Sequence, residues 1–135
     1  MRVVLCGSAH WNYDKIVEDE IVKLHRQSRL DGKKLLVIHG GEPGPETVAD
    51  TVCIKLGIDR IIHPAVRVLG DNCFYRRNQL MIQYHKPDLV IGIAHEIETN
   101  KVIYDLLERA NIKGIKTKAI DYEYLNRGES HFKGI

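Results

Sequence analysis

The chain has 135 residues, enough for one domain with a sizeable core. Hydrophobic residues make up 44% and charged residues 28%, the balance of an ordinary globular domain, and a formal net charge of +2 is too small to make nucleic acid the expected main partner. No apolar stretch approaches the roughly 20 residues of a membrane helix, so no membrane contact is expected, and Cys6, Cys53 and Cys73 form no CxxC pair, which argues against a zinc knuckle and a disulfide framework.

The opening MRVVLCG has no signal-peptide character, so a reducing, cytoplasmic compartment is expected. Arg2 to Cys6 reads as a buried strand broken by Gly7-Ser8. From Asp14 to about Arg29, Ile16, Val17, Ile21 and Leu24 recur at helical spacing, and Asp31-Gly32 ends that helix. Leu35 to Ile38 is the second strand. Pro45 suits the first turn of a helix, where its missing N–H costs nothing; this helix is expected to turn Val48, Val52, Cys53 and Leu56 inward and to close at Gly57. Ile58 to Pro64 reads as a third strand, Val66 to Asp71 as a loop, and about Asn72 to His85 as a helix carrying Leu80, Met81 and Tyr84. Leu89 to Ala94 is the fourth strand, Glu98 or Thr99 starts a helix through about Asn111, and Ile115 to Ile120 is the fifth strand. Residues 1–121 are therefore expected to form the domain. Residues 122–135 have no clear period and form a tail expected to pack on the domain or on a neighbouring subunit, so a homo-oligomer is expected.

Five buried strands separated by four helices imply a parallel sheet with right-handed crossovers. The simplest arrangement is a Rossmann-like three-layer α/β/α sandwich with strand order 3-2-1-4-5. Ligands in such sheets bind beyond the carboxyl ends of the strands, where the order reverses, here between strands one and four. The loops at that edge are CGSAHW (6–11), HGGEPG (39–44) and AHEIET (94–99).

Gly7-Ser8 is either a strand-end turn or a place where a ligand approaches backbone N–H and hydroxyl groups. In HGGEPG, successive glycine N–H groups can form an anion nest backed by the positive end of the helix at Pro45. It is neither a Walker A loop nor the dinucleotide fingerprint, since no Gly-Lys-Ser/Thr follows and the spacing of Gly40 and Gly41 differs. Glu46 suits a helix start and equally a ribose hydroxyl. Arg77 can clamp phosphate and Asn78 read a base edge, or both can lie on a solvated helix face. Trp11 can stack on a base or cover a core edge. His10, His39, His63, His85, His95 and Glu96 come from separate segments without an i, i+4 pair, so no metal is expected, and no other cofactor. No GxSxG elbow accompanies Ser8.

Taken in order, these segments resemble the SLOG superfamily, in particular its small YspA-like branch. The family's Gly-Ser-x-x-Trp is similar to Gly7-Ser8-Ala9-His10-Trp11, with Ala9 where an arginine is common. Its His-Gly-Gly-Ala-x-Gly-Ala-Asp is similar to His39 through Glu46, its Pro-Ala to Pro64-Ala65, its Arg-Asn-x-x-Met to Arg77 through Met81, and its Pro-Asp-Leu-Val to Pro87 through Val90. The resemblance spans roughly residues 2 to 120. Where the family has a second phosphate loop, Pro-Gly-Gly-x-Gly-Thr, this chain has Ala94-His95-Glu96-Ile97-Glu98-Thr99, which keeps only the threonine.

The resemblance implies a Rossmann-like domain that binds a nucleotide or nucleotide-derived small molecule, as a sensor or processor in nucleotide signalling or in conflict between phages and hosts. The wider superfamily includes Lonely Guy-type phosphoribohydrolases and the DNA-processing protein A. The residues expected to bind ligand are Gly7, Ser8, Trp11, His39, Gly40, Gly41, Gly44, Glu46, Arg77, Asn78 and Thr99. The rival reading is hydrolysis of an N-glycosidic bond with Glu46, Glu96 or Glu98 as acid/base, a reading weakened by the lost glycines at 94–99. A further rival is nucleic-acid binding through Lys113, Lys116, Lys118, Arg127 and Lys133, whose interspersed acids, Asp121, Glu123 and Glu129, argue for a solvated or subunit-facing tail instead.

Overall fold

The structure, a computed structural model, describes residues 1–121; the expectations for the segment 122–135 lie outside the described residues. Ten elements follow one another: β1 (Arg2–Gly7), α1 (Asp14–Leu30), β2 (Leu36–His39), α2 (Pro45–Leu56), β3 (Asp59–Ile62), a 3₁₀ segment (Arg67–Asn72), α3 (Cys73–His85), β4 (Leu89–Ile93), α4 (Lys101–Ile112) and β5 (Lys116–Ile120). The five strands form one sheet in the order β3-β2-β1-β4-β5, every neighbouring pair parallel. This is the three-layer Rossmann-like sandwich expected from the alternation of apolar runs and helical patterns.

The two-residue period of a strand divides the core into two layers. Val3 and Leu5 of β1 pack with Val17 and Ile21 of α1 and with Ala49 of α2. Val4 and Cys6 point to the other face, with Met81 of α3 and with Leu106 and Leu107 of α4. Truncating Leu5, Ile21, Met81, Leu106 or Leu107 to alanine costs about 2–5 kcal/mol, depending on how far the site collapses. Gly92, in the middle of β4, allows α4 its close approach: a Cβ there would stand 2.8 Å from Ile103 Cγ2 and 2.9 Å from Leu107 Cδ1.

Four details differ from the sequence reading. β3 is not a buried strand: it is the sheet's edge, and all four residues are exposed because α2 lies mainly over β1. Leu56, expected to face inward, is 41% exposed. Residues 67–72 form 3₁₀ turns interrupted at Gly70 rather than a loop. The fourth helix starts at Lys101 rather than at Glu98 or Thr99, because the Asn100 side chain caps it by accepting the Ile103 N–H at 3.1 Å. No helix among the described residues is long and apolar enough to cross a membrane.

Candidate functional site

The reversal of strand order brings the ends of β1 and β4 side by side, with Gly7 opposite Ile93. Residues 8–13, 40–44 and 94–100 lead away from this edge into α1, α2 and α4. Their contacts with one another explain most of their glycines. A Cβ on Gly7 would overlap the Pro45 ring, and one on Gly40 would overlap Arg77 Nη1 and lie 2.9 Å from Glu46 Oε1. Gly44 has φ 93°, in the left-handed region, and a Cβ there would meet the Ser8 carbonyl at 2.8 Å.

Glu46 is the centre of this arrangement. It is 1% exposed, in the first turn of α2, and its Oε1 accepts the Gly40 N–H at 2.6 Å. Its Oε2 receives a long contact of 3.5 Å from the Gly7 N–H, and Arg77 Nη1 lies 4.0 Å from Oε1. Burial raises the Glu46 pKa above the usual glutamate value; Arg77 and the N–H groups of Gly40, Gly7 and Glu42 oppose that rise. The anion inside the glycine nest is thus the protein's own carboxylate. The expectation that Gly40 and its neighbours present open N–H groups is modified accordingly. The Gly41 N–H also has an internal acceptor, His39 Nδ1 at 2.9 Å, and the Ser8 N–H donates to the Ile93 carbonyl at 2.8 Å.

His39 is a buried brace. Because Nδ1 accepts from Gly41, its ring proton sits on Nε2 and donates to Asp50 Oδ1 at 2.8 Å. Arg60 Nε donates to the same oxygen at 2.6 Å. Burial pushes the Asp50 carboxyl up, but the bonds from His39 and Arg60 outweigh it and hold the group below its ordinary range. The chain Gly41–His39–Asp50–Arg60 ties the nest to α2 and β3.

Arg77 lies under Gly40, only 3% exposed, and its Nε and Nη1 have no acceptor among the described residues. Its guanidinium stacks over Phe74 at 5.4 Å from the ring centre, and Arg67 lies 5.2 Å from the same ring. Arg67 also donates to Glu42 Oε1 at 2.7 Å, joining the 3₁₀ segment to the glycine loop. Asn78 is fully buried; its Nδ2 donates to the Val102 carbonyl at 2.9 Å and to Asp105 Oδ2 at 3.1 Å, while its Oδ1 has no partner among the described residues.

Trp11 is 3% exposed and donates through Nε1 to the Tyr13 carbonyl at 3.2 Å. Its ring meets Tyr13 at 5.2 Å and His95 at 5.3 Å between centroids. The accessible aromatic surface at this rim therefore belongs to Tyr13, 43% exposed, and to half-buried His95. Sequence reasoning missed Tyr13, and it weighed His95 only as a metal ligand. The clue was an aromatic or imidazole ring in each of the two loops that flank the switch point.

Glu96 and Glu98 are exposed, while Ile97 between them is buried and anchors their loop. Thr99 Oγ1 lies 3.4 Å from both the Glu96 carbonyl and Glu96 Oε2. Among the described residues no three His, Cys, Asp or Glu groups assemble as a metal site. Burial, with Glu46 adding to it, pushes the Cys6 thiol far above its normal value, and burial with Asp50 pushes Cys53 up to about 11, so neither is a thiolate nucleophile at neutral pH.

No family model matches the chain, and no curated protein matches it. Among solved structures, the chain is similar to DNA processing protein A of Streptococcus pneumoniae, with a TM-score of 0.53 and 15% identity over 96% of this chain. The chain spans 62% of the length of that protein. The likeness is one of fold: a Rossmann-like α/β sandwich.

Proposed function

We propose that the protein belongs to the SLOG superfamily and binds a phosphate-bearing, nucleotide-derived small molecule at the carboxyl edge of its sheet, between β1 and β4. The phosphate sits at the start of α2, where the N–H groups of Glu46 and Thr47 have no intrahelical acceptor, with the Ser8 hydroxyl beside it. The base stacks on Tyr13 and His95. Glu46, His39 and Asp50 are positioning residues that hold the loop.

The observation that carries this reading is Arg77. Arg77 Nε and Nη1 have no hydrogen-bond acceptor among the described residues, and the nearest carboxylate oxygen, Glu46 Oε1, stands 4.0 Å off, so the buried guanidinium keeps donors that an anion or water would complete. It lies beneath the loop that borders the strand-order reversal, where this class of sheet binds ligands. The binding reading is favoured over N-glycosidic hydrolysis because the buried carboxylate, Glu46, already accepts backbone hydrogen bonds.

The test is isothermal titration of the purified protein against a panel of nucleoside mono-, di- and triphosphates and cyclic nucleotides, together with Tyr13→Ala and His95→Ala. Binding of at least one nucleotide, weakened about tenfold by loss of a stacked ring (about 1–3 kcal/mol per stacked base), supports the proposal. Absence of binding across the panel, with no nucleotide copurifying by mass spectrometry, contradicts it.

A further inference from the structure

We propose that the opposite, amino edge of the sheet is a second binding surface, which takes the sugar–phosphate backbone of a nucleic acid. In a parallel sheet all strands begin at one edge and the intervening helices end there. Arg29, in the last turn of α1, Lys33 and Lys34 before β2, Lys86 before β4, Lys113 after α4 and Lys116 opening β5 therefore share that edge. All six are exposed.

What distinguishes them is their gathering at one edge without a neutralising carboxylate. Lys15, Arg60, Arg67, Arg109 and Lys118 each have a carboxylate within ion-pair distance, whereas these six have none among the described residues. The acids at this edge, Asp31, Asp59 and Asp88, are fewer than the cations. At the far edge Glu96 and Glu98 are exposed, while Glu42 is paired with Arg67. One cation at each helix end answers the negative pole of that helix. Lys33, Lys34 and Lys116 stand outside the helices and exceed that need.

The shape fits a strand of phosphates. Two clefts open at this edge. One, of about 300 Å³, is lined by His25, Arg29, Lys33 and Lys34; the other, of about 370 Å³, is lined by Lys86, Lys113 and Ile115. From β2 to β5 is three strand spacings, roughly 14 Å. At about 3.4 Å of duplex axis per phosphate on one strand, this row covers about four phosphates. Cations dominate the row, with Gln83 the one amide lining the second cleft, so the surface chiefly recognises backbone charge.

Fluorescence anisotropy with a short labelled DNA duplex, titrated between about 50 and 200 mM salt, tests the proposal. The parent is expected to bind at low salt with a log–log slope of about −3.6, about 0.9 for each of about four phosphates. Lys33→Ala/Lys34→Ala and Lys113→Ala/Lys116→Ala are each expected to weaken binding at least tenfold at low salt and to reduce the slope by about 2, one contact per lysine. Lys101→Ala at the opposite edge, and Arg77→Met in the small-molecule site, are expected to leave binding unchanged, so the two proposals fail independently. Absence of binding at the lowest salt, indifference to both double variants, or an equal loss in Lys101→Ala overturns it.

Discussion

The Glu46 carboxylate accepts the Gly40 N–H at 2.6 Å, closing the glycine loop onto the first turn of the helix that follows it. The loop is therefore built around an internal anion, with the Arg77 cation 4.0 Å away. Its glycines serve this closure first, and ligand access follows from where the closed loop stands.

Replacing those glycines is expected to strain the fold. Gly40→Ala places a methyl against Arg77 and Glu46, and Gly7→Ala places one against Pro45. Each is expected to cost about 1–3 kcal/mol, the usual range for overpacking, read as a lower midpoint in urea unfolding. A variant as stable as the parent would show that the loop relaxes freely.

Glu46 sets a pH dependence. Its folded pKa lies above the ordinary value of 4.5, so the folded state binds more protons than the unfolded state in the window that opens near 4.5 and extends upward. Stability contributed at this site falls as pH rises through that window. Glu46→Gln has no such titration, and its melting temperature relative to the parent is expected to rise as pH increases from about 4 to 7. Thermal unfolding followed by circular dichroism checks this, and a constant difference would contradict it.

His63 and His85 act with the opposite sign. Their rings meet at 3.3 Å between Nδ1 and Nε2. Burial, then Arg77, lowers His63; burial, then His63 and Arg2, lowers His85. Both folded values lie below 6.5, so their contribution is complete above 6.5 and is lost as pH falls through the folded values. The parent is expected to lose more stability on acidification below 6.5 than His63→Gln/His85→Gln, measured as melting temperatures in matched buffers.

Much of this architecture was legible in the sequence, and the reasons are local. Strand order followed from apolar runs alternating with helical patterns, whereas Val3, Val4, Leu5 and Cys6 read only as one buried strand and their division between two core layers is seen in the structure. The exposure of β3 was hidden because IDRII carries the same apolar signature at an edge as at the centre of a sheet. At the site, the loops were legible but their internal wiring was not. That Asn78 spends its amide on Val102 and Asp105, or that Tyr13 and His95 flank Trp11, depends on contacts between distant segments that no local pattern encodes.

Asn78 separates structural from ligand roles. Asn78→Ala removes two buried hydrogen bonds between α3 and α4 and is expected to cost about 1–3 kcal/mol, while the Asp105 carboxylate keeps its bond from Arg109. Nucleotide affinity measured below the melting transition is expected to stay within about threefold of the parent, a shift well under the 1.4 kcal/mol of a tenfold change.

The central claim, that Arg77 underlies an anion-binding site, is tested most directly by isothermal titration of parent and Arg77→Met with the nucleotide that binds best. Methionine keeps the unbranched stem and removes the charge, and circular dichroism establishes that the variant is folded. The account predicts at least a tenfold loss of affinity in the folded variant, with partial recovery in Arg77→Lys; unchanged nucleotide affinity in folded Arg77→Met would contradict it.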